Sequence, residues 1–545
     1  MLEGRMMHVP LTLTHFVERA RSLFGRSEIV SRLPDGRLER SDYGAVAGRV
    51  ARLCSALRGL GVRPGDRVAT LCWNHARHLE VYLAAPAMGA VVHTLNLRLH
   101  PDELAYIAAH AEDKAVVVDR SLYKLWSAFA ARVPSVRHVV VVPDDGPAPE
   151  GTIDYEALVG GAAADFDFPR LEENAAAMLC YTSGTTGNPK GVLYSHRSCV
   201  LHSMAVCARD GLGVGNDDTV MPVVPMFHAA AWGLPYAAVA CGAKVVFPGP
   251  RLDPPSLLEL LERERVTLTA GVPTIWLGIL QALDREPKRY DLSRLRSMVV
   301  GGSAAPAAMI DGFRERHGLE VLHAWGMTEL NPLGTVARVK GTLQGRPAAE
   351  LLELRASQGV PVPLVEQRHT GDDGRALPWD GKTFGELEVR GPWVAASYFG
   401  DEGKDRFTSD GWFKTGDVVT IDPEGYVRIV DRSKDVIKSG GEWISSVALE
   451  NALMGHPAVL EAAVFAANHP RWGERPVAAV VLKEGASAGE AELASHLAAG
   501  FAKYCVPDRF LFVKEIPRTS TGKFLKTKLR ERYGDVFAAE GGGEP

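Results

Sequence analysis

Apolar residues in the N-terminal half of the chain follow two alternating patterns. Between residues 42 and 60 they recur every three or four positions, which predicts one buried face of a helix that ends near Gly59 and Gly61. Further along, short apolar runs alternate with helix-like stretches at 78–88 and 102–110. The runs predicted to be strands are 67–71, 90–94, 115–118, 138–142, 176–180, 219–224, 244–247, 267–270 and 297–300. This alternation predicts a largely parallel α/β sheet covered by helices, with ligands at the carboxyl ends of its strands.

The pattern changes after about Gly359. Short β-like runs at 385–389 and 426–430, punctuated by Gly and Pro, predict a small β-barrel-like subdomain at about 355–431. A charged segment begins at Asp431, and a small α+β unit with a helix at 447–454 follows it. We therefore expect an N-terminal domain at 1–431 and a mobile C-terminal domain at 432–545, joined by a hinge.

Composition narrows the class of protein. The net charge of −5, the pI near 6.4 and the lack of a basic run give no reason to expect nucleic acid. Residues 229–247 are strongly apolar, but Gly, Pro and Lys interrupt them, so we interpret them as a buried wall and expect no stable membrane insertion. The N-terminus lacks the apolar core of a signal peptide. The seven scattered cysteines are nowhere spaced as a metal or redox pair, which favours a reducing, cytoplasmic setting.

One polar loop follows the predicted strand 176–180. Residues 181–191 read Tyr-Thr-Ser-Gly-Thr-Thr-Gly-Asn-Pro-Lys-Gly. Glycines let backbone N–H groups approach an anion, and hydroxyls and a lysine add donors and charge, so the loop is typical of a phosphate cradle. Pro189 and Gly191 depart from the Walker pattern around Lys190, which argues against a P-loop NTPase. A flexible surface loop is the alternative.

Five further stretches are polar within apolar surroundings, and each also has a purely structural explanation. They are 225–228 with His228, 323–329 with Glu329, 411–417 with Asp417, 433–445 with two lysines, and 517–523 with Lys523. Glu329 could hold a hard cation such as Mg²⁺, and Asp417 could accept two ribose hydroxyls. The alternatives are a core histidine, surface turns and a solvated charged face.

These stretches, in this order, resemble the adenylate-forming superfamily, and they are most similar to bacterial long-chain fatty acyl-CoA synthetases. The resemblance covers nearly the whole chain. It implies a two-step ligase, in which a medium- to long-chain fatty acid attacks the α-phosphate of ATP to give acyl-AMP and pyrophosphate. Coenzyme A then displaces AMP.

The resemblance also assigns roles to residues. Lys523, His228 and Lys438 would be catalytic, and Thr182 and Glu329 would hold Mg²⁺. Trp232 would gate an acyl tunnel, with simple core packing as the alternative. The residues implied in binding ATP are Thr182, Ser183, Gly184, Thr185, Thr186 and Lys190 at the phosphates, Gly302, His323, Ala324 and Thr328 at the adenine and α-phosphate, Asp417 at the ribose, and Arg432, Lys434, Lys438 and Trp443 from the hinge side.

Two departures from the family pattern lie in one stretch of this chain. Trp325 stands where the family usually has Tyr, and His323-Ala324 replaces a common Gln-Gly, so the adenine contacts are expected to differ. Lys523 lies far along the chain and has to swing into the site. A homodimer is the family expectation. The alternatives are a ligase for a short-chain or aryl acid, a stand-alone or peptide-synthetase adenylation unit, a luciferase-like oxidase, and a non-catalytic nucleotide sensor.

Overall fold

The structure is a computed structural model, and it describes residues 2–182, 188–400, 403–439, 442–519 and 523–537. Helices and strands alternate through its N-terminal half, as the apolar pattern predicts. The helices are α1 Thr14–Leu23, α2 Tyr43–Gly59, α3 Ala76–Ala87, α4 Pro101–His110, α5 Tyr123–Ser127, α6 Tyr155–Gly160, α7 His196–Cys207, α8 Leu234–Cys241, α9 Pro254–Arg263, α10 Pro273–Arg285, α11 Ala307–His317, α12 Ala348–Ala356, α13 Ser446–Met454, α14 Glu490–Ala498 and α15 Lys526–Tyr533.

The strands form four sheets within the described residues. Their bounds are β1 Glu28–Arg32, β2 Leu38–Asp42, β3 Arg67–Leu71, β4 Val91–Thr94, β5 Ala115–Asp119, β6 His138–Val142, β7 Ile153–Asp154, β8 Ala176–Tyr181, β9 Gly191–Ser195, β10 Thr219–Pro222, β11 Lys244–Phe247, β12 Leu268–Gly271, β13 Ser297–Val300, β14 Val321–Gly326, β15 Leu333–Val336, β16 Val360–Pro361, β17 Glu366–Thr370, β18 Gly385–Arg390, β19 Phe413–Ile421, β20 Val427–Arg432, β21 Ile437–Ser439, β22 Glu442–Ile444, β23 Val459–His469, β24 Gly473–Leu482 and β25 Arg509–Phe512.

Two large, mostly parallel sheets build the N-terminal part. One has the order β7-β6-β5-β3-β4-β8-β9, and the other has the order β16-β15-β14-β13-β12-β10-β11-β1-β2. Their central strands are buried along their whole length, as expected for parallel strands covered on both faces. Helix α2 buries the apolar face that the sequence predicts, and Asp42 caps it by accepting the N–H of Ala45 at 2.7 Å.

The remaining sheets are smaller. Strands β17 to β20 form a four-stranded antiparallel sheet. This region was expected to be barrel-like, but β17 and β20 do not pair with each other, so the sheet is open. The C-terminal sheet has the order β22-β21-β24-β23, with β25 on β24, and it packs with α13, α14 and α15. The α/β class, with a large N-terminal part and a small C-terminal α+β unit, is confirmed.

The structure brings together two cysteines that the spacing along the chain does not pair. Cys207 and Cys241 lie 34 positions apart in the sequence, but the ends of α7 and α8 bring their Sγ atoms to 3.1 Å of each other. Spacing along the chain could not show a pair that only the packing of two helices creates. The apolar wall at 229–247 folds as a short turn, α8 and β11, and none of the described helices is long and apolar enough to cross a bilayer.

Candidate active site

Two neighbouring cavities lie where the C-terminal unit meets the carboxyl ends of the parallel strands. Their volumes are about 350 and 210 Å³, and residues such as Trp325, Arg432 and Lys523 line both. Thr182 directly follows β8, Gly301 and Gly302 follow β13, and Trp325 lies at the end of β14. Strand ends of both large sheets, β8 of one and β13 and β14 of the other, therefore meet here, and the carboxyl ends of parallel strands are where an α/β fold favours a site.

Most of the residues singled out in the sequence reach these cavities. Those lining the larger one are Thr182, Lys190, His228, Trp232, Gly302, Ala324, Thr328, Glu329, Arg432, Lys434 and Lys523. Those lining the smaller one are Gly302, His323, Ala324, Asp417, Arg432 and Lys523. Ser183, Gly184, Thr185 and Thr186 lie outside the described residues.

Lys438 and Trp443 are not brought to either cavity in this arrangement. The ammonium of Lys438 is exposed and lies 4.4 Å from the centre of the Trp443 ring. The backbone N–H of Lys438 donates to Glu474 at 2.9 Å. The two residues therefore pack on each other across the paired strands β21 and β22.

Lys523 contributes the cation that comes from farthest along the chain. Its backbone is fixed by a bond from its N–H to the Thr519 hydroxyl at 3.2 Å and by one from the Thr519 N–H to its carbonyl at 2.8 Å. Loss of water around the side chain and, to a smaller extent, the nearby Arg432 lower the pKa of Lys523 to about 8, against the opposing effect of Asp417 and Glu329. A cation held in such surroundings interacts strongly with an anion that enters.

Glu329 and Thr182 place oxygen atoms on the wall of the larger cavity. Glu329 is 5% exposed, and its Oε1 accepts the Tyr398 hydroxyl at 2.5 Å. Lys190 lies 5.1 Å from the centre of the same tyrosine ring, and the N–H of Lys190 donates to the Thr182 hydroxyl at 3.1 Å. A carboxylate, a hydroxyl and a lysine therefore surround one part of the cavity, next to the glycine-rich loop.

Asp417 is held from two sides. The indole N–H of Trp325 donates to Oδ2 of Asp417 at 3.0 Å, and Nε of Arg432 contacts Oδ1 at 2.8 Å. A carboxylate has about four acceptor positions, so two remain for other donors. The sequence marked Trp325 only as a departure from the family pattern, and its bond to Asp417 was not foreseen. Tyr398 and Arg406 also line the cavity and were missed, because neither belongs to a recognisable motif.

His228 lines the larger cavity where its apolar side begins. Loss of water and, to a smaller extent, the nearby cations Lys523 and Arg98 lower the pKa of His228 to about 4, so the imidazole is neutral at pH 7. The next residues form a left-handed turn, with φ of 48° at Ala230, 50° at Ala231 and 56° at Trp232. The Trp232 ring reaches the glycines after β13, where a Cβ on Gly301 would lie 3.1 Å from it. Only a glycine allows so close an approach.

Comparison with known sequences gives the same picture. Residues 18–399 match the family described as AMP-binding enzyme, and residues 448–523 match the AMP-binding enzyme C-terminal domain. The chain is 52% identical to the long-chain-fatty-acid–CoA ligase of Thermus thermophilus, over 98% of this chain and 97% of that protein. It is 46% identical to the 3-methylmercaptopropionyl-CoA ligase of Ruegeria lacuscaerulensis (98% and 99% covered) and 45% identical to the medium-chain-fatty-acid–CoA ligase of Ectopseudomonas oleovorans (98% of each).

Solved structures agree with these relatives. The anthranilate CoA ligase AuaEII in complex with anthranoyl-AMP superposes with a TM-score of 0.87 at 26% identity, covering 98% of this chain and 99% of that chain. ATP-bound MatB from Rhodopseudomonas palustris superposes with a TM-score of 0.83 at 28% identity, covering 97% and 100%. Since both family regions match and the relatives align over their whole length, the chain belongs to the AMP-binding enzymes of the adenylate-forming superfamily, among the acyl-CoA ligases.

Proposed function

We propose that this protein activates a medium- to long-chain fatty acid with ATP and transfers the acyl group to coenzyme A. The observation that carries the proposal is the position of Lys523, which reaches the same cavity as Thr182, Lys190 and Glu329 from a distant part of the chain. Such a site can grip a triphosphate and bring a further cation to the reacting phosphate. AMP, pyrophosphate and the acyl-CoA thioester are the products.

In the first step, an oxygen of the fatty carboxylate attacks the α-phosphorus of ATP. The bond to the pyrophosphate oxygen breaks, which leaves acyl-AMP and pyrophosphate. Negative charge spreads over phosphate oxygens as this happens, and fixed cations in a water-poor site stabilise it. We assign this role to Lys523 and Lys190, with Arg432 and Lys434 on the hinge side. Asp417 would accept the ribose hydroxyls through the acceptor positions that Trp325 and Arg432 leave free.

The residues around Glu329 fit a magnesium ion. The buried carboxylate has one oxygen bonded to Tyr398 and lines the cavity with the Thr182 hydroxyl, and hard oxygen donors of this kind suit Mg²⁺. When bound, Mg²⁺ would neutralise charge on the phosphate oxygens. Glu329 and Thr182 are the residues that would hold it.

The second step is proposed to need a rotation of the C-terminal domain, 432–545, against the N-terminal domain, 1–431. Lys438 and Trp443 lie outside both cavities, so a rotation about Asp431 and Arg432 would be needed to bring their neighbourhood to the acyl-AMP. The thiol of coenzyme A then attacks the acyl carbon, and AMP leaves. The Ser446 hydroxyl donates to Asp431, and Asp431 lies 3.7 Å from Nζ of Lys526; these contacts would hold the hinge in the proposed first-step arrangement.

The apolar side of the larger cavity supports a fatty acid as the substrate. Leu212, Val299, Pro332 and Leu333 lie there together with Trp232. Each buried methylene contributes about 0.8 kcal/mol, so such a wall favours long chains. The named substrates of the relatives differ in length and in polarity, and a short-chain or aryl acid is the second candidate.

A pyrophosphate-release assay with acetate, benzoate, octanoate and palmitate tests the proposal. With ATP, Mg²⁺ and coenzyme A, octanoate and palmitate should give the fastest release. If benzoate or acetate gave the faster release of pyrophosphate, the substrate would be the second candidate, an aryl or short-chain acid, and not a fatty acid. Full turnover without coenzyme A would indicate a stand-alone adenylation enzyme, and no ATP consumption with any acid would refute the proposal.

The Trp232→Ala variant should change the preference among acids. The indole closes the apolar side of the cavity against Gly301, so its removal should alter the ratio of kcat/KM for palmitate and octanoate by roughly 15- to 60-fold, the size expected from two or three methylenes at about 0.8 kcal/mol each. The Trp126→Ala variant is the control, because it removes a buried indole that packs on Phe129 and lines neither of the two cavities. An unchanged ratio in Trp232→Ala would mean that Trp232 only packs the core.

A further inference from the structure

The ends of two adjacent helices hold a pair of thiols in contact. Cys207 is the last residue of α7 and Cys241 is the last residue of α8, and their Sγ atoms are 3.1 Å apart. Both side chains are partly exposed, whereas Cys54, Cys72, Cys180 and Cys199 are buried. A covalent S–S bond is about 2.05 Å long, so the two sulfurs need to approach by only about 1 Å.

The two thiols are not equivalent. The contact with the Cys207 sulfur lowers the pKa of Cys241 against the opposing effect of burial, and the nearby Arg19 lowers it further. Arg19 is fixed there because its Nε donates to the carbonyl of Ala240 at 3.0 Å. Cys241 is therefore the thiol that more readily becomes a thiolate, and a thiolate is the form that attacks an oxidant.

Metal binding by this pair is not supported. Among the described residues, the cluster of potential metal ligands consists of Cys72, His75 and Asp119, so no third ligand joins Cys207 and Cys241. Two thiols in contact without a third ligand are suited to oxidation rather than to coordination.

We propose that Cys207 and Cys241 form a peroxide-sensitive dithiol that closes to a disulfide. The Cys241 thiolate attacks one oxygen of hydrogen peroxide and breaks the O–O bond, which gives a sulfenic acid and a hydroxide that is protonated to water. The sulfur of Cys207 then attacks the sulfenic sulfur. The S–O bond breaks, and the departing hydroxide takes the Cys207 proton. Two thiols and one peroxide give one disulfide and two waters.

The disulfide would act on the wall of the larger cavity. Cys241 donates its S–H to the Val214 carbonyl at 3.4 Å, and this bond is lost when the sulfur is oxidised. Val214 ends the segment 208–214, which carries Leu212 of the cavity wall. Helix α8 also begins directly after the turn that carries Trp232. Oxidation should therefore change the KM for the acid more than the KM for ATP. This expectation rests on the proposed function.

The experiment uses the full chain, treated with hydrogen peroxide, alkylated and digested with trypsin without reduction. Cleavage after Arg197, Arg209 and Lys244 places the two cysteines in peptides 198–209 and 210–244. Most of the protein should yield these peptides as a linked pair that dithiothreitol separates. Because the first peptide also contains Cys199, the Cys199→Ser variant should keep the link, while Cys207→Ser and Cys241→Ser should both lose it.

The outcomes separate the parts of the proposal. Absence of the linked pair in the unsubstituted protein, or its persistence in Cys207→Ser, would overturn the dithiol. A linked pair that leaves the KM for the acid unchanged would overturn its effect on the cavity. Lack of any ATP-dependent activity in the reduced protein would instead count against the proposed function, because the link is detected without an activity assay.

Discussion

The Lys523→Ala variant should lose acyl-AMP formation by about 10²–10³-fold and still convert supplied acyl-AMP and coenzyme A into thioester. The size follows from the loss of one fixed charge that stabilises the transition state. The separation follows from the structure, in which Lys523 reaches both cavities while Lys438 and Trp443 lie outside them. Pyrophosphate exchange measures the first step, and thioester formation from synthetic acyl-AMP measures the second.

Three comparisons make this result specific. Lys528→Ala removes an exposed lysine of α15 and should leave both steps near the level of the unsubstituted protein.

Since the pKa of Lys523 is lowered to about 8, its cation is present below that pH and lost above it, so the first step should slow as the pH rises through about 8. Lys523→Arg keeps its charge at these pH values and should move this decline to higher pH. Equal loss of both steps in Lys523→Ala would contradict the assigned role.

The regular elements of the N-terminal part follow from the sequence alone. The spacing of Val46, Val50 and Leu53 places one apolar face on α2, and the apolar runs predicted before the glycine-rich loop coincide with β3, β4, β5, β6 and β8 within a residue or two, whereas the short β7 was not predicted. The spacing at which apolar residues recur is a local property of the chain, so it predicts helices and strands without any knowledge of what packs against them.

The turn before Trp232 shows where local preference fails. Three consecutive alanines favour a right-handed helix, but Ala229, Ala230 and Ala231 adopt left-handed conformations that cost roughly 1–2 kcal/mol per residue. The tertiary structure imposes this turn, because it directs the Trp232 ring to the space beside Gly301. The order of the residues gives no signal of this contact, because Trp232 and Gly301 lie far apart in the sequence.

The features of the site also fall into two groups, those that the sequence predicts and those that it does not. Thr182, Glu329, Asp417 and Lys523 stand in motifs, so the sequence could name them, and the structure places all four at the two cavities. The bond between Trp325 and Asp417 and the contact between Cys207 and Cys241 join segments without a shared motif. Such partners depend on how sheets and helices pack, which a single sequence does not specify.

The Glu329→Gln variant should lose pyrophosphate release on the order of 10²-fold at a fixed, low concentration of Mg²⁺. Glutamine keeps the size of the side chain and can still accept the Tyr398 hydroxyl, but it lacks the negative charge that a hard cation requires. Raising the Mg²⁺ concentration should therefore recover part of the rate, and the half-saturating concentration of Mg²⁺ should increase.

Tyr398→Phe is the matched control for this result. It removes only the hydroxyl that donates to Oε1 of Glu329 at 2.5 Å and leaves the carboxylate charge in place, so the rate should fall by about tenfold or less. The two variants should also separate in the binding of Mg²⁺ with ATP, followed by the shift in melting temperature as Mg²⁺ is added. A Glu329→Gln protein with an unchanged Mg²⁺ dependence would place the metal on other residues, and Glu329 would then serve only to hold Tyr398 beside Lys190.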